Sequence, residues 1–203
     1  LGQERLDFEG HLIVFLVLLE MPALVIGVIL ARYGKGQVRW GRLLHEVFFG
    51  KSIYLLVGGL VIGAIAGPEG IKPLDKLFFD LLKGFLALFL LEMGLVASSR
   101  IAALREYGIF LAAFAVLMPI FSASLGTLTG WLLGFSVGGT FLLATLFASA
   151  SYIAAPAAMR IAVPEANPAL SIGASLGMTF PFNIFLGIPI YLWMSRFVHA
   201  VGG

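Results

Sequence analysis

Residues 108–134 read GIFLAAFAVLMPIFSASLGTLTGWLLG, and none of them is charged. A helix crossing a bilayer needs about 20 mostly apolar residues. In hydrocarbon it must also bond every backbone polar group within itself, which an α-helix does. This stretch meets both demands. Residues 139–159 and 169–194 are also free of charge. Across all 203 residues, 60% are hydrophobic and 12% charged, with a mean hydropathy of +1.03. Soluble domains run at roughly 45–50% apolar and about 25% charged, so an all-α membrane protein follows.

Dividing the chain at its charges, glycines and prolines gives six spans: 12–32, 51–67, 77–97, 108–133, 140–159 and 170–194. The second is short. The last carries Pro181 and Pro189 and is expected to be kinked or broken. Lys and Arg set the orientation. Arg32, Lys35, Arg39, Arg42, Lys51, Arg100, Arg105 and Arg160 fall on one side, against Arg5, Lys72, Lys76 and Arg196, with Lys83 just inside the third span. The first set is read as cytoplasmic, which places both ends of the chain outside. The cytoplasmic segment 33–50 spaces Trp40, Leu43, Leu44, Val47 and Phe48 almost helically, beside Arg39 and Arg42. It reads as a short helix lying at the interface.

Enzyme chemistry finds no footing here. The chain has no Cys, His45 and His199 have no metal-ligand neighbours in sequence, and no phosphate loop or catalytic triad is present. No cofactor is implied. The first ten residues carry Glu4, Asp7 and Glu9, the opposite of a signal peptide's basic start. With Leu1 first and no initiator Met, a processed or partial chain is expected.

Two spans echo each other. Leu19-Glu20-Met21-Pro22-Ala23 precedes Gly27, and Met178-Thr179-Phe180-Pro181-Phe182 precedes Gly187. Each puts a polar residue before a mid-span proline, and the two spans run in opposite directions. Inverted-repeat transporters show such pairs, although proline and glycine are common enough in membrane helices to match by chance. If the echo is a repeat, residues 1–33 hold the last helix of a first repeat and 34–50 are the cytoplasmic linker. Residues 51–203 then form a second five-helix repeat. Four helices of the first repeat would lie elsewhere, and the chain alone would not transport.

The intramembrane polar groups can be read singly. Glu20 lies about 12 Å along the first span at 1.5 Å per residue. An ionisable group at that depth is a functional candidate, or else a hydrogen-bonded carboxyl in a helix contact. Glu92, deep in the third span, carries the same two readings. Asp80 and Lys83 are spaced as an i,i+3 pair near the outer end. In Phe147-Ala148-Ser149-Ala150-Ser151-Tyr152-Ile153-Ala154-Ala155-Pro156, small and hydroxyl residues crowd before a proline. They serve either close helix packing or a broken helix that presents hydroxyls and free amides to an ion. The last span holds Ser171, Ser175, Thr179 and Asn183, the final three spaced by four along one face.

Ala148–Pro156 continues into Arg160-Ile161-Ala162-Val163-Pro164-Glu165-Ala166-Asn167-Pro168. The stretch resembles the sodium-dependent bicarbonate transporter superfamily, whose cyanobacterial members are the SbtA-type permeases. In that family a Ser-rich broken helix leads through such a loop to a last helix rich in Gly, Thr and Pro. Here that helix carries Gly173-Ala174-Ser175, Thr179-Phe180-Pro181 and Gly187-Ile188-Pro189, and Glu20-Met21-Pro22-Ala23 looks like the Glu-x-Pro-Ala that closes the family's first repeat. The resemblance covers essentially the whole chain and implies the second half of a ten-helix, two-repeat, trimeric protein of the bacterial plasma (inner) membrane. It implies bicarbonate–sodium symport by elevator-like movement, and a PII-like regulatory protein docking on the cytoplasmic side. Ser149 and Ser151 would be bicarbonate or sodium ligands, with Thr179 and Asn183 behind them. Two positions depart from the pattern: Tyr152 stands where an acidic residue is expected, and Met118 where a threonine is. Two other functions stay open. One is a transporter of the same fold for another small anion or carboxylate. The other is a non-transporting scaffold that docks a cytosolic regulator through residues 33–50.

Overall fold

A computed structural model describes residues 6–32, 41, 45, 49, 51–104, 108–149, 151, 155, 163 and 173–202. Its elements are α1 (Leu12–Arg32), α2 (Lys51–Ile71), α3 (Leu81–Leu104), α4 (Gly108–Leu132), α5 (Val137–Ala148) and α6, a helical run over Gly173–Gly202. Among the described residues there is no strand. Three stretches are long and apolar enough to cross a membrane: Val14–Ala31, Gly108–Leu132 and Gly173–Gly202; α5 is a shorter apolar helix. The protein is therefore an all-α membrane protein with several spans. Gly41, His45 and Phe49, four apart in the linker, are helical, and the rings of His45 and Phe49 stack at 5.5 Å. Trp40, Leu43, Leu44, Val47, Phe48, Tyr152, Ser171 and the loop 160–162 and 164–168 lie outside the described residues.

α4 is built inside out by the standards of a soluble helix. Its buried face is Ala115, Pro119, Ala123, Gly126, Thr127 and Gly130, while Leu117, Phe121, Leu125, Leu128 and Leu132 are exposed. Large apolar side chains lose nothing by facing lipid tails. Small ones let helices approach closely enough for dispersion to hold them. The approach is tight. A Cβ on Gly126 would stand 2.8 Å from Ala144 Cα, and one on Gly130 would stand 2.9 Å from Thr140 Cα. The helix stops at Gly134 (φ +73°). There the Phe135 N–H donates to the Gly130 carbonyl and the Gly134 N–H to the Trp131 carbonyl, both at 3.0 Å. This is a Schellman closure, which needs a left-handed residue that glycine supplies without strain. Ser136 then opens α5, its side chain accepting from the Gly139 N–H at 3.0 Å.

α4, α5 and α6 pack on one another around a small core of Ala123, Ala144, Ala148 and Tyr191, with α1 against α5 and α3 against the Gly173–Thr179 stretch of α6. The contacts fix their directions. Asp7 and Glu9, just before α1, meet Ser136 at the start of α5, and Glu20 meets Ser151 beyond its end. α1 and α5 are therefore parallel. His199 of α6 reaches the Phe135 carbonyl at 2.9 Å, while Asn183 reaches the Ala148 carbonyl at 3.0 Å, so α6 runs opposite to α5. The segment before α1, the α4–α5 turn and the end of α6 share one end of the bundle.

α2 and α3 join through a 3-10 turn (Lys72–Leu74) and a π-helical turn (Lys76–Asp80). α2 bends at Gly67 (φ +60°), ahead of Pro68, where the sequence ends its second span. Asp80 and Lys83 pair at 3.6 Å while largely exposed, the local pair their spacing implied. α6 is not broken at Pro181 but stays helical, with π-helical stretches at Gly173–Thr179 and Asn183–Gly187 on either side of Phe180–Phe182. A proline removes one N–H and crowds the carbonyl one turn back, and widened turns absorb both without parting the chain. Its echo, α1, remains an ordinary α-helix through Pro22.

Candidate functional site

α5 ends at Ala148, eight residues before Pro156, so the proline's ring does not stop it. Ser149 turns extended (φ −73°, ψ 143°) and its N–H falls back on the Leu146 carbonyl at 3.2 Å. Its hydroxyl donates to the Thr145 carbonyl at 2.8 Å, which satisfies a carbonyl of the last turn that no longer has a helical partner. A helix has thus ended within the apolar stretch 139–159. Ser151 sits beyond the end. Its Oγ accepts from the Ala155 N–H at 3.2 Å, and Ala155 is helical again. Across from it stands Glu20 of α1, its Oε1 3.4 Å from Ser151 Oγ. That is long for an O–H···O bond, whose usual range is about 2.5–3.0 Å. The break therefore combines the carbonyl end of one half-helix, an amide with a serine oxygen on it, and a half-buried carboxylate.

α6 supports the break from behind. Asn183 spends both ends of its amide there: Nδ2 donates to the Ala148 carbonyl at 3.0 Å, and Oδ1 accepts from the Tyr191 hydroxyl at 2.7 Å. Thr179, buried, donates to the Ala115 carbonyl of α4 at 3.0 Å. Ser175 is buried one turn before Thr179. The structure thus brings Ser149, Ser151, Asn183 and Glu20 to one place and puts Thr179 on the α4 side of the same helix face. Glu92 does not join them, being exposed on α3. Among the described residues no three His, Cys, Asp or Glu side chains gather as a metal cluster.

Tyr191 is the member that sequence reading missed. Its signal was present. The four-residue stripe Ser175, Thr179, Asn183 continues without interruption as Gly187, Tyr191, Ser195 and His199. Ser195 donates to the Tyr191 carbonyl at 2.9 Å, and His199 Nδ1 lies 2.8 Å from the Ser195 carbonyl. In a regular α-helix a step of four overshoots one turn by roughly 40°. The π-helical stretches take more residues per turn and offset that drift, which keeps the stripe facing α4 and α5.

At the end of the bundle that holds the α4–α5 turn, the Ser136 N–H donates to Glu9 Oε1 at 2.7 Å, and the Ser136 hydroxyl to the Asp7 carbonyl at 2.9 Å. The Ser136 N–H holds the Glu9 carboxyl below its ordinary value, against a smaller upward push from burial. A negative group at a helix N-terminus is favoured by the free N–H groups and the helix dipole. Gly138 and Gly139 make the approach possible, since a Cβ on either would collide with the Asp7 carbonyl oxygen or with Glu9 Oε2.

A bundle of apolar helices, one ended in mid-span with a carboxylate and serines beyond its end, is an arrangement that membrane transporters use. The chain matches the family model of the Na+-dependent bicarbonate transporter superfamily over residues 1–196, and it belongs to that family. No curated protein matches it.

Proposed function

We propose that the protein is a sodium-coupled bicarbonate transporter whose ions meet at the α5 break. The observation that carries this reading is the carboxylate of Glu20 beside Ser151, next to the carbonyl end of α5. In broken-helix transporters, carbonyls at half-helix C-termini hold the coupling cation and N-terminal amides face an anionic substrate. A lone carboxylate would repel bicarbonate. A carboxylate with a sodium ion would not, and binding of the two would then be coupled. Glu20 also supplies a carboxylate beside the serines, where Tyr152 departs from the family pattern. The packed unit of α1, α3, α4, α5 and α6, with α2 touching it little, suits an elevator-like movement of one body against another. The two-repeat plan, trimeric assembly and a PII-like partner on the cytoplasmic side go with the same family reading.

The test is uptake of labelled bicarbonate by cells expressing the full two-repeat protein of the family reading, with sodium or with potassium. Uptake should require sodium. Losing a hydrogen bond to a charged group costs about 1.5–3 kcal/mol, roughly 10- to 150-fold in affinity. Ser151→Ala should therefore raise the half-saturating concentration of an ion about tenfold or more, with the protein still assembled. Unchanged uptake in Ser151→Ala and Ser149→Ala would leave the serines as packing residues.

A further inference from the structure

We infer that Tyr191 is a positioning residue that sets the shape of the α5 break through Asn183; the functional side of this inference rests on the transport reading above. Tyr191 is fully buried and packs in the core with Ala123, Ala144 and Ala148. Its hydroxyl donates to Asn183 Oδ1 at 2.7 Å. That bond decides which way the Asn183 amide points. With Oδ1 turned to Tyr191, the NH2 group faces the Ala148 carbonyl, a strong acceptor left without its helical partner at the end of α5. Without the hydroxyl, the amide could rotate and present oxygen to oxygen at Ala148. The carbonyl would then lack its donor, and the next residue is Ser149, whose extended turn opens the break.

The backbone is shaped to allow this contact. The ring of Tyr191 lies back over its own helix, and a Cβ on Gly187 would stand 2.9 Å from the ring's Cζ and hydroxyl and 3.0 Å from Asn183 Oδ1. Glycine at that position clears the path between two residues eight apart. The π-helical stretch Asn183–Gly187 ends at the same glycine, and such widened turns are frequent at functional sites. A tyrosine needed only for bulk would require neither the cleared glycine nor a short bond to an amide that is itself bonded to a helix end.

Because the chain has no Cys, a single Ser149→Cys places one thiol at the exposed break. Its alkylation rate by a small maleimide in membranes reads the geometry there without reference to any substrate. In that background Tyr191→Phe keeps the ring and removes the hydroxyl. It should change the alkylation rate about threefold or more, the scale of one hydrogen bond. Asn183→Ala should do the same, and the double variant should match Asn183→Ala alone, because Tyr191 acts through that amide. Gly187→Ala should shift the rate in the same direction. An unchanged rate in Tyr191→Phe, or additive effects in the double variant, would overturn the inference and leave the hydroxyl as a satisfied core group. Without the Cys, Tyr191→Phe should raise the half-saturating bicarbonate or sodium concentration while the amount of protein in the membrane stays the same. If the full two-repeat wild type shows no sodium-dependent uptake, the transport reading fails while the labelling result stands on its own.

Discussion

At the scale of single residues, meaning comes from partners far away in the chain. Read along the sequence, Glu9 is one of several acids that argue against a signal peptide. In the fold it caps α5, 127 residues later. No periodicity links the two positions, so sequence could not show it; at most, the pair Gly138-Gly139 after a serine hinted at a close approach. A carboxyl held below its ordinary value of 4.5 stabilises the fold fully above that pH and loses its effect as pH falls through the lower folded value. Glu9→Gln keeps an oxygen for the Ser136 N–H but removes the charge, worth about 0.3–1 kcal/mol at a helix N-terminus. In detergent at pH 7 the variant should melt about 1–4 °C below wild type, and the gap should narrow in thermal scans as pH falls below 4.5. A constant gap across that range would show that the charge is not the cause.

At the scale of elements, hydropathy located the helices and small residues located their contacts. The fourth span's limits agree with α4 to within a residue, and the glycine expected to end the second span is where α2 bends. The hydroxyl cluster at 149–151 did mark a break, but Pro156 did not set its position. Ser149 ends the helix by turning extended and bonding back to Thr145, a choice that depends on Asn183 waiting opposite. The α6 stripe was read only as far as Asn183, because a glycine and then a tyrosine do not look polar in a hydropathy reading. The close α4–α5 crossing was likewise only implicit in Gly126 and Gly130 against Thr140 and Ala144. Gly126→Ala tests it. The added methyl would meet the Ala144 backbone at 2.8 Å, and backbone cannot rotate away as a side chain could. Overpacking of this kind costs about 1–3 kcal/mol, so the variant should melt several degrees lower. Gly27→Ala on α1, where a Cβ meets nothing within 4 Å, should be neutral or slightly stabilising. Equal melting of both variants would mean that the hairpin does not depend on this contact.

At the scale of the whole molecule, the question is why a membrane helix carries a glutamate. A charged side chain in mid-bilayer costs several kcal/mol, and Glu20 lies half-buried against the break. Two roles could justify it. A hydrogen-bonded carboxyl would hold α1 to the segment after α5, a role an amide fills equally well. A cation ligand would supply negative charge, which an amide lacks. Glu20→Gln separates them, since it keeps size and hydrogen bonding and removes only charge. If Glu20 is the cation's carboxylate, the half-saturating sodium concentration for bicarbonate uptake should rise about tenfold or more, the scale of one lost charge-assisted contact. Half-saturation by bicarbonate should move much less once sodium is raised to saturation, because the anion meets the amide side of the break. Uptake should also lose its dependence on Ser151, so that Ser151→Ala added to Glu20→Gln costs little more, the two oxygens acting on one ion. Sodium curves that coincide for wild type and Glu20→Gln would place the coupling ion elsewhere and leave this carboxyl as a helix tie.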